Sequence, residues 1–304
     1  MHNGWSDGEA RLEHPVTKTA HAFKLGEFQC TVISDGRWDY PIEKFFPSES
    51  LPEAVERLRS GGLPLDRVTM QFSGLTVNTA QNRVLIDGGA NRMVSDDDPE
   101  SRLGMLQVNL GEAGIDAAQI DSVIITHAHG DHIGGLVQEG RLAYPNARYY
   151  ISRVEWAYWM SEASVGQPDH LVQTARTGLS AIQGRVEYFE PDGEILPGFS
   201  ALSADGHTPG HTVVEVSSNG QRLLCISDLA LLPLHIERPD LIPDYFDTDR
   251  RLAERSKQRV FSYAKDAGLL VYSPHLAPFP GLGHVVAADA GWRWEPLDAG
   301  HGGP

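Results

Sequence analysis

Apolar and polar residues alternate along several segments of the chain, a period-two pattern that predicts β-strands. The segment FQCTVISDG (28–36) alternates in this way, and LTVNTAQNRVLIDGG (75–89) predicts a hairpin. The segment TVVEVSSNGQRLLCISD (212–228) predicts a second hairpin, which turns at Asn219 and Gly220 because this dipeptide readily adopts the positive φ angles of tight turns. Two apolar runs predict buried strands: SVIIT (122–126) and LLVYSP (269–274).

Other segments place apolar residues three or four positions apart, which is the spacing of an amphipathic helix. Leu103, Leu106 and Leu110 share one face of such a helix, and Gly114 is expected to end it. A further helix is predicted to begin at the capping-box sequence SLPE (50–53), where serine and glutamate side chains can satisfy free backbone N–H groups.

The longest predicted helix covers residues 249–267. Its apolar residues Leu252, Val260 and Ala264 are expected to face the core, and Gly268 is expected to follow its last turn. Each half of the chain therefore contains strands followed by helices. This order predicts two sheets packed face to face with helices outside them, which is an α/β fold of four layers.

The composition is that of a globular protein with an ordinary core: 304 residues, of which 41% are hydrophobic and 22% charged. We expect a single domain over residues 23–304, preceded by an N-terminal arm at residues 1–22. No apolar run approaches the ~18 residues of a membrane span. The N-terminus lacks the basic start and apolar core of a secretory signal, so we expect a cytoplasmic location.

The net charge disfavours some classes of partner, and the cysteine content disfavours some kinds of site. The formal net charge of −16 disfavours nucleic acids and anionic membranes as partners, because phosphate binding needs clustered Lys and Arg. Cys30 and Cys225 are too few for a disulfide scaffold or a cysteine zinc site. Cys225 lies in the strand pattern RLLCISD, so we expect it to be a buried core thiol.

The stretch VIITHAHGDHIGG (123–135) concentrates polar residues directly behind a predicted buried strand. His127 and His129 stand two positions apart, so both can point to one ion from an extended segment. Asp131 and His132 follow the flexible Gly130 and can face a second point nearby. Mixed nitrogen and oxygen donors of this kind suit zinc or a similar divalent ion. The alternative, a histidine-rich surface loop, is disfavoured because the cluster follows a buried strand.

One such cluster cannot complete two metal sites, so further ligands must come from elsewhere. The motifs GHTPGHT, LLCISDLALL and VYSPHLAPFPGLGH carry polar residues at strand ends or on glycine- and proline-rich loops, where functional sites are built. The residues that they offer are His207, His211, Asp228, His275 and His284.

The ordered motifs His127-x-His129-x-Asp131-His132, then His211, Asp228 and His275, resemble those of the metallo-β-lactamase superfamily. The resemblance extends from about Phe28 to Pro296. Within the superfamily, LGEFQCTVISDG, SADGHTPGHT and HLAPFPGLGH are similar to the branch that holds methyl parathion hydrolase and lactonase-like hydrolases. The resemblance implies an αββα four-layer sandwich with two divalent metal ions per chain, expected to be Zn²⁺, between the sheet edges.

The resemblance also implies a role for each of these positions. It assigns three histidines to the first metal, a carboxylate and two histidines to the second, and a bridging carboxylate to both: His127, His129 and His211, then Asp131, His132 and His275, then Asp228. A metal-bridging hydroxide would attack a carbonyl or phosphoryl centre. The catalytic residues Asp131 or Asp228 would then pass a proton to the leaving group.

Other residues are expected to surround the metals. Asp87, at the end of RVLID, is a candidate to orient a ligand histidine, with a turn cap as the alternative. His207 and His284 are expected behind the ligands or as satisfied core histidines. Trp156 and Trp159 could form an aromatic wall for the substrate or belong to a core helix, and the sequence leaves both possibilities open.

These features favour a hydrolase that attacks a lactone or ester carbonyl of a small, neutral, hydrophobic substrate. A phosphotriester hydrolase of the methyl parathion hydrolase type is the alternative. A non-catalytic metal-binding protein on the same fold is the rival from another class. Penicillin-opening members of the superfamily generally lack the bridging carboxylate, so Asp228 disfavours that activity. Neither nucleic acid nor membrane is an expected partner, and a homodimer is the assembly to test.

Overall fold

The computed structural model describes residues 19–60, 67–289 and 291–297. The strands are β1 (Ala20–Leu25), β2 (Phe28–Pro41), β3 (Arg67–Asn78), β4 (Arg83–Ile86), β5 (Met93–Val94), β6 (Arg102–Leu103), β7 (Ser122–Ile125), β8 (Val137–Gln138), β9 (Arg141–Leu142), β10 (Arg148–Ser152), β11 (Val186–Phe189), β12 (Glu194–Leu196), β13 (Phe199–Ser203), β14 (Thr212–Ser218), β15 (Gln221–Cys225), β16 (Leu270–Tyr272), β17 (Leu282–Ala288) and β18 (Gly291–Pro296). The helices are α1 (Leu51–Ser60), α2 (Leu106–Glu112), α3 (Gly130–Ile133), α4 (Arg153–Trp159), α5 (Asp169–Ile182), α6 (Leu234–Glu237) and α7 (Arg250–Asp266).

Two large sheets contain most of these strands. The first has the order β11-β10-β7-β4-β3-β2-β6-β5, with β1 paired to β2, and the second has the order β12-β13-β14-β15-β16-β17-β18. β4, β7 and β10 run parallel in the first sheet, and β15 and β16 run parallel in the second. β8 and β9 form a separate two-stranded pair.

The buried side chains form layers that confirm the predicted αββα order. Val32 and Leu75 of the first sheet pack against Val214 and Leu223 of the second, which fills the space between the sheets. The outer face of the first sheet is covered by residues of α2, α4 and α5, and the outer face of the second by α7. Burial of both faces explains why β7 is apolar along its whole length.

Cys30 of β2 and Cys225 of β15 belong to the cluster between the sheets, as buried free thiols. The prediction of a core thiol at Cys225 is therefore confirmed. Burial raises the pKa of the Cys30 thiol to about 12, and burial also raises the pKa of Cys225. Neither thiol is exposed or in its reactive thiolate form near neutral pH.

Most of the predicted elements are confirmed, with three corrections. Residues 20–22, predicted to lie in an arm, belong to β1, while residues 1–18 lie outside the described residues. Leu103, predicted on a helix, is in β6 because it pairs with Gly36 of β2. Leu252 of α7 is exposed rather than in the core. No helix among the described residues combines the length and hydropathy needed to cross a bilayer.

The carboxyl ends of the parallel strands lie at one edge of the two sheets. Chemically active side chains follow these ends directly or after a short turn, which brings residues distant in sequence to one place. The four strands β4, β7, β15 and β16 lead respectively to Asp87, His127, Asp228 and His275.

Candidate metal centre

The loop after β7 supplies three of the histidines and one aspartate. His127 and His129 are buried, and His129 is the N-cap of the short helix α3 with extended backbone angles. α3 then carries Asp131 and His132. The short turn therefore directs the two pairs of side chains toward neighbouring points.

The first group of possible metal ligands contains His127, His129, His207 and Asp228, whose ligand atoms all lie within 4.8 Å of one another. His207 Nε2 is 2.9 Å from His129 Nδ1 and 3.3 Å from Asp228 Oδ2. These four side chains are all buried, which limits their access to water.

The second group contains Asp131, His132, His275 and, again, Asp228. Asp228 Oδ1 lies 2.9 Å from His132 Nε2 and 3.2 Å from His275 Nε2, while Asp131 Oδ2 lies 3.4 Å from His275 Nε2. One carboxylate thus faces both groups, through Oδ2 on one side and Oδ1 on the other.

The Nε2 atoms of two histidines in these groups indicate whether the site suits a metal ion. His127 Nε2 and His132 Nε2 are buried and make no hydrogen bond of suitable geometry within the described part of the chain, although Asp228 Oδ1 lies 2.9 Å from His132 Nε2. A buried polar atom without a partner is costly, and native structures rarely leave one unexplained. Divalent ions accept lone pairs from such nitrogens, so this donor set of histidines and carboxylates suits zinc-like ions.

His207 joins the first group by these distances, and His211, the ligand that the resemblance implies, lies directly beside it, with ring centroids 5.0 Å from His127 and 5.4 Å from His207. His211 is also buried; its Nδ1 donates to the Ala204 carbonyl at 3.1 Å, and its Nε2 lies 3.4 Å from the Asp228 backbone N. The assignment of His211 to the first metal stays a prediction, and His207 is a second candidate for the same ion.

Hydrogen bonds at Nδ1 hold the rings of His132, His207 and His275 in place. Asp87 Oδ2 lies 2.8 Å from His132 Nδ1, and Asp247 Oδ1 lies 2.7 Å from His207 Nδ1. His275 Nδ1 donates to the Gln71 carbonyl at 3.0 Å. Partners of this kind fix which ring nitrogen is free to bind an ion.

Glu155 is a supporting residue that the sequence interpretation missed. Its buried carboxylate accepts hydrogen bonds from Ala128 N and Trp159 Nε1 through Oε1, and from Thr208 Oγ1 and Gly210 N through Oε2. It therefore joins the loop of His127 and His129 to the loop of His207. A glutamate in an otherwise apolar and aromatic helical segment is the one signal that the sequence offered.

Protonation of the site follows from burial and from close charges. Burial opposes ionisation of Asp228, but His132 and His275 hold the pKa of Asp228 well below its usual range. Burial would lower the pKa of His207, but Asp228 and Asp247 raise it to about 9. Since a ligand nitrogen must be unprotonated, metal ions compete with protons at His207, and metal affinity falls as pH is lowered.

A cleft of about 280 Å³ opens above the two groups. Asp131 and Asp228 lie at its polar end, and the walls are mainly aromatic and aliphatic. The aromatic and aliphatic wall residues, two of them tyrosines with a polar hydroxyl, are Trp38, Tyr40, Met70, Ala90, Met93, Leu103, Leu171, Leu231, Tyr245 and Phe246. The cleft therefore combines a few convergent polar groups with a large apolar surface, as small-molecule sites commonly do.

Three predicted surrounding residues have other roles. Trp159 is fully buried and packs behind His129, with ring centroids 5.7 Å apart. Trp156 packs on Tyr188 and on the helical layer, so neither tryptophan lines the cleft. His284 lies on β17, where its Nδ1 donates to the Leu269 carbonyl at 2.9 Å. The aromatic wall comes instead from β2 and from the segment between α6 and α7.

Comparison with curated proteins finds lactonases. An N-acyl homoserine lactonase from a Bacillus species is 29% identical over 119 residues, covering 38% of this chain and 42% of that protein. An N-acyl homoserine lactonase from Bacillus thuringiensis is 26% identical over 168 residues, covering 55% of this chain and 60% of that protein. The chain thus matches about half the length of these relatives.

Solved structures with the same architecture extend over nearly the whole chain. AidC, a dizinc quorum-quenching lactonase in complex with the product N-hexanoyl-L-homoserine, has a TM-score of 0.83 and 27% identity, covering 94% of this chain and 100% of its own. The hydrolase AbOPH has a TM-score of 0.82 and 25% identity, covering 94% and 99%. The sequence model of the Metallo-beta-lactamase superfamily matches residues 68–275, so this chain belongs to that superfamily.

Proposed function

We propose that this protein is a dinuclear metal-dependent hydrolase that opens lactones carrying an apolar arm. The observation that carries the proposal is the position of Asp228. Its two oxygens face two separate groups of ligands, and it lies at the polar end of an apolar cleft. A binding protein has no need for such a cleft above its metals, which disfavours the non-catalytic alternative.

The ligand sets proposed are His127, His129 and Asp228 with either His211 or His207 for one ion, and Asp131, His132, His275 and Asp228 for the other. When bound, two divalent ions would activate a water molecule and polarise the substrate carbonyl. Zinc is the proposed metal because these neutral imidazoles and carboxylates match its preferred donors. The relationship to a dizinc lactonase supports this choice.

Asp131 is the proposed proton carrier. Its side chain is 23% exposed and lines the cleft, whereas the side chain of Asp228 is only 6% exposed. Asp131 can therefore reach a substrate atom, take a proton as the carbonyl is attacked and return it to the leaving oxygen. Asp228 is held between the two groups and is better placed to fix their spacing.

The cleft supports a neutral substrate with a hydrophobic arm. Two carboxylates offset only half the charge of two divalent ions, so the polar end attracts an electron-rich carbonyl oxygen. The walls can cover an acyl chain, as the product in the AidC structure contains. A lactone also keeps its leaving oxygen tethered after ring opening, near the group that protonates it.

The test combines metal analysis with a substrate panel. We expect about two ions per chain, and a kcat/KM at least about tenfold higher for acyl lactones than for a paraoxon-like triester or a cephalosporin. Asp228→Ala should lose metal and nearly all turnover. His284→Ala is the matched control and should retain both, because His284 has a backbone partner elsewhere. A preference for the triester, or full activity with one ion, would contradict the proposal.

A further inference from the structure

Tyr40 is a polar residue in the cleft that has no role in the chemistry described above. It lies near the end of β2, and it lines the same cleft as Asp131 and Asp228. Its ring is held edge-on by Phe45 at 6.0 Å and by Phe246 at 6.1 Å between centroids. The aromatic contacts restrict the direction in which the hydroxyl can point.

The hydroxyl of Tyr40 is not used by the fold. Within the described part of the chain it has no hydrogen-bond partner, although the residue is half-buried. Tyr144, Tyr149 and Tyr272 are buried tyrosines whose hydroxyls all have partners. Since buried hydroxyls normally find partners, the free donor of Tyr40 is available to a ligand.

We infer that Tyr40 is a catalytic residue, whose neutral hydroxyl donates a hydrogen bond to the lactone carbonyl oxygen as that carbonyl is attacked. The inference rests on the proposed lactonase function. It gives the cleft a neutral hydrogen-bond donor in addition to the ligand groups. A donor aimed at an oxygen that gains negative charge stabilises the transition state more than the bound substrate.

The surroundings of Tyr40 keep the phenol protonated. Burial raises the pKa of Tyr40. The hydroxyl therefore acts as a donor at neutral pH and not as a base. Tyr245 lines the same cleft but is 42% exposed, and Lys44 Nζ lies 3.9 Å from its ring centroid and 5.6 Å from that of Tyr40.

The experiment compares Tyr40→Phe with Tyr188→Phe in the metal-loaded protein, because Tyr188 is an exposed tyrosine that does not line the cleft. We expect Tyr40→Phe to lower kcat for an acyl lactone about 10- to 100-fold with little change in KM, and Tyr188→Phe to stay within about twofold of the parent. Calorimetric binding of the corresponding lactam, which keeps the carbonyl but resists opening, should change less than about twofold in both variants, because the donor acts mainly on the transition state. Both variants should retain two ions and the parent Tm.

The outcomes separate this inference from the proposed function. A parent protein that opens no lactone overturns both. A parent that opens lactones while Tyr40→Phe matches Tyr188→Phe in kcat, or while Tyr40→Phe loses lactam affinity as much as it loses kcat, overturns the role of Tyr40 alone. Loss of metal or a lowered Tm in Tyr40→Phe would assign the hydroxyl a structural role and likewise overturn the inference.

Discussion

At the scale of single residues, Glu155 shows how one buried carboxylate organises the site. Three of its four hydrogen bonds reach two separate loops: Ala128 lies 27 positions before Glu155, and Thr208 and Gly210 lie 53 and 55 positions after it. Gly210 makes this possible, because a Cβ at that position would collide with the Glu155 backbone. The positions of His129 and His207 thus depend on a residue that binds no metal.

We expect Glu155→Gln to lower the free energy of unfolding by about 1–3 kcal/mol. The amide nitrogen can be accommodated beside Thr208, whose hydroxyl can reverse its role, but it leaves the Gly210 N–H without an acceptor. Urea unfolding with chelator present measures this loss separately from metal binding. Glu190→Gln, at an exposed glutamate paired with Arg153, should cost less than about 1 kcal/mol. Equal losses in both variants would contradict this role for Glu155.

The predictability of individual residues follows the range of their contacts. The cluster from His127 to His132 is local, so the spacing of its residues was sufficient to predict two neighbouring groups. The candidate ligand His207 is held by Asp247, which lies 40 positions away. The partners of Glu155 are equally remote, and no local pattern indicates them.

At the scale of elements, α7 shows that the spacing of apolar residues predicts the ends of a helix better than it predicts every residue of its buried face. Asp249 caps its first turn by accepting from Leu252 N at 3.0 Å, and Gly268 follows its end with a φ of 58°. The buried stripe runs through Ala253, Ser256, Lys257, Val260, Phe261 and Ala264. Leu252 lies one position outside the stripe, which is why its apolar character was misleading.

We expect Val260→Ala in α7 to lower the free energy of unfolding by about 2 kcal/mol, because its side chain is 1% exposed and a cavity would remain. Leu252→Ala removes more atoms from the same helix but from an exposed position, so it should cost less than about 1 kcal/mol. Thermal and urea unfolding measure both. A larger loss for Leu252→Ala would contradict the assigned faces of the helix.

Strands could be predicted where the residues of the turn between them identify that turn by themselves. Asn219 and Gly220 have φ angles of 47° and 79°, as the hairpin between β14 and β15 requires. β5 and β6 are only two residues long; β6 pairs with β2, and β5 pairs only with β6. A sequence pattern cannot indicate so short a strand, because its stability comes from the neighbour and not from its own residues.

At the scale of the whole molecule, the two sheets meet at the candidate metal centre. His127 and His132 follow β7 of the first sheet, while Asp228 and His275 follow β15 and β16 of the second. Bound ions would therefore link the halves of the sandwich. The general architecture was predictable because alternating strands and flanking helices recur in each half. The register between the sheets was not, since it depends on packing across the core.

We expect removal of the metals by a chelator to abolish hydrolysis and to lower Tm by roughly 5–10 °C, because ligands that bind only the folded state stabilise it. Differential scanning calorimetry before and after zinc is restored measures the effect. In Asp228→Ala the chelator should change Tm little, since that variant cannot hold both ions, whereas His284→Ala should respond like the parent. An unchanged Tm in the parent would contradict a link between the sheets.

The two thiols between the sheets have a consequence for measurement. Cys30 belongs to one sheet and Cys225 to the other, and a maleimide or other alkylating probe can reach them only if the sheets separate. Their modification rate therefore reports the frequency of large openings of the sandwich, in a native chain that needs no introduced label. Bound metal ions that link the two sheets should slow the modification of both thiols. The modification rates with and without metal therefore measure how far the ions suppress the opening of the sandwich.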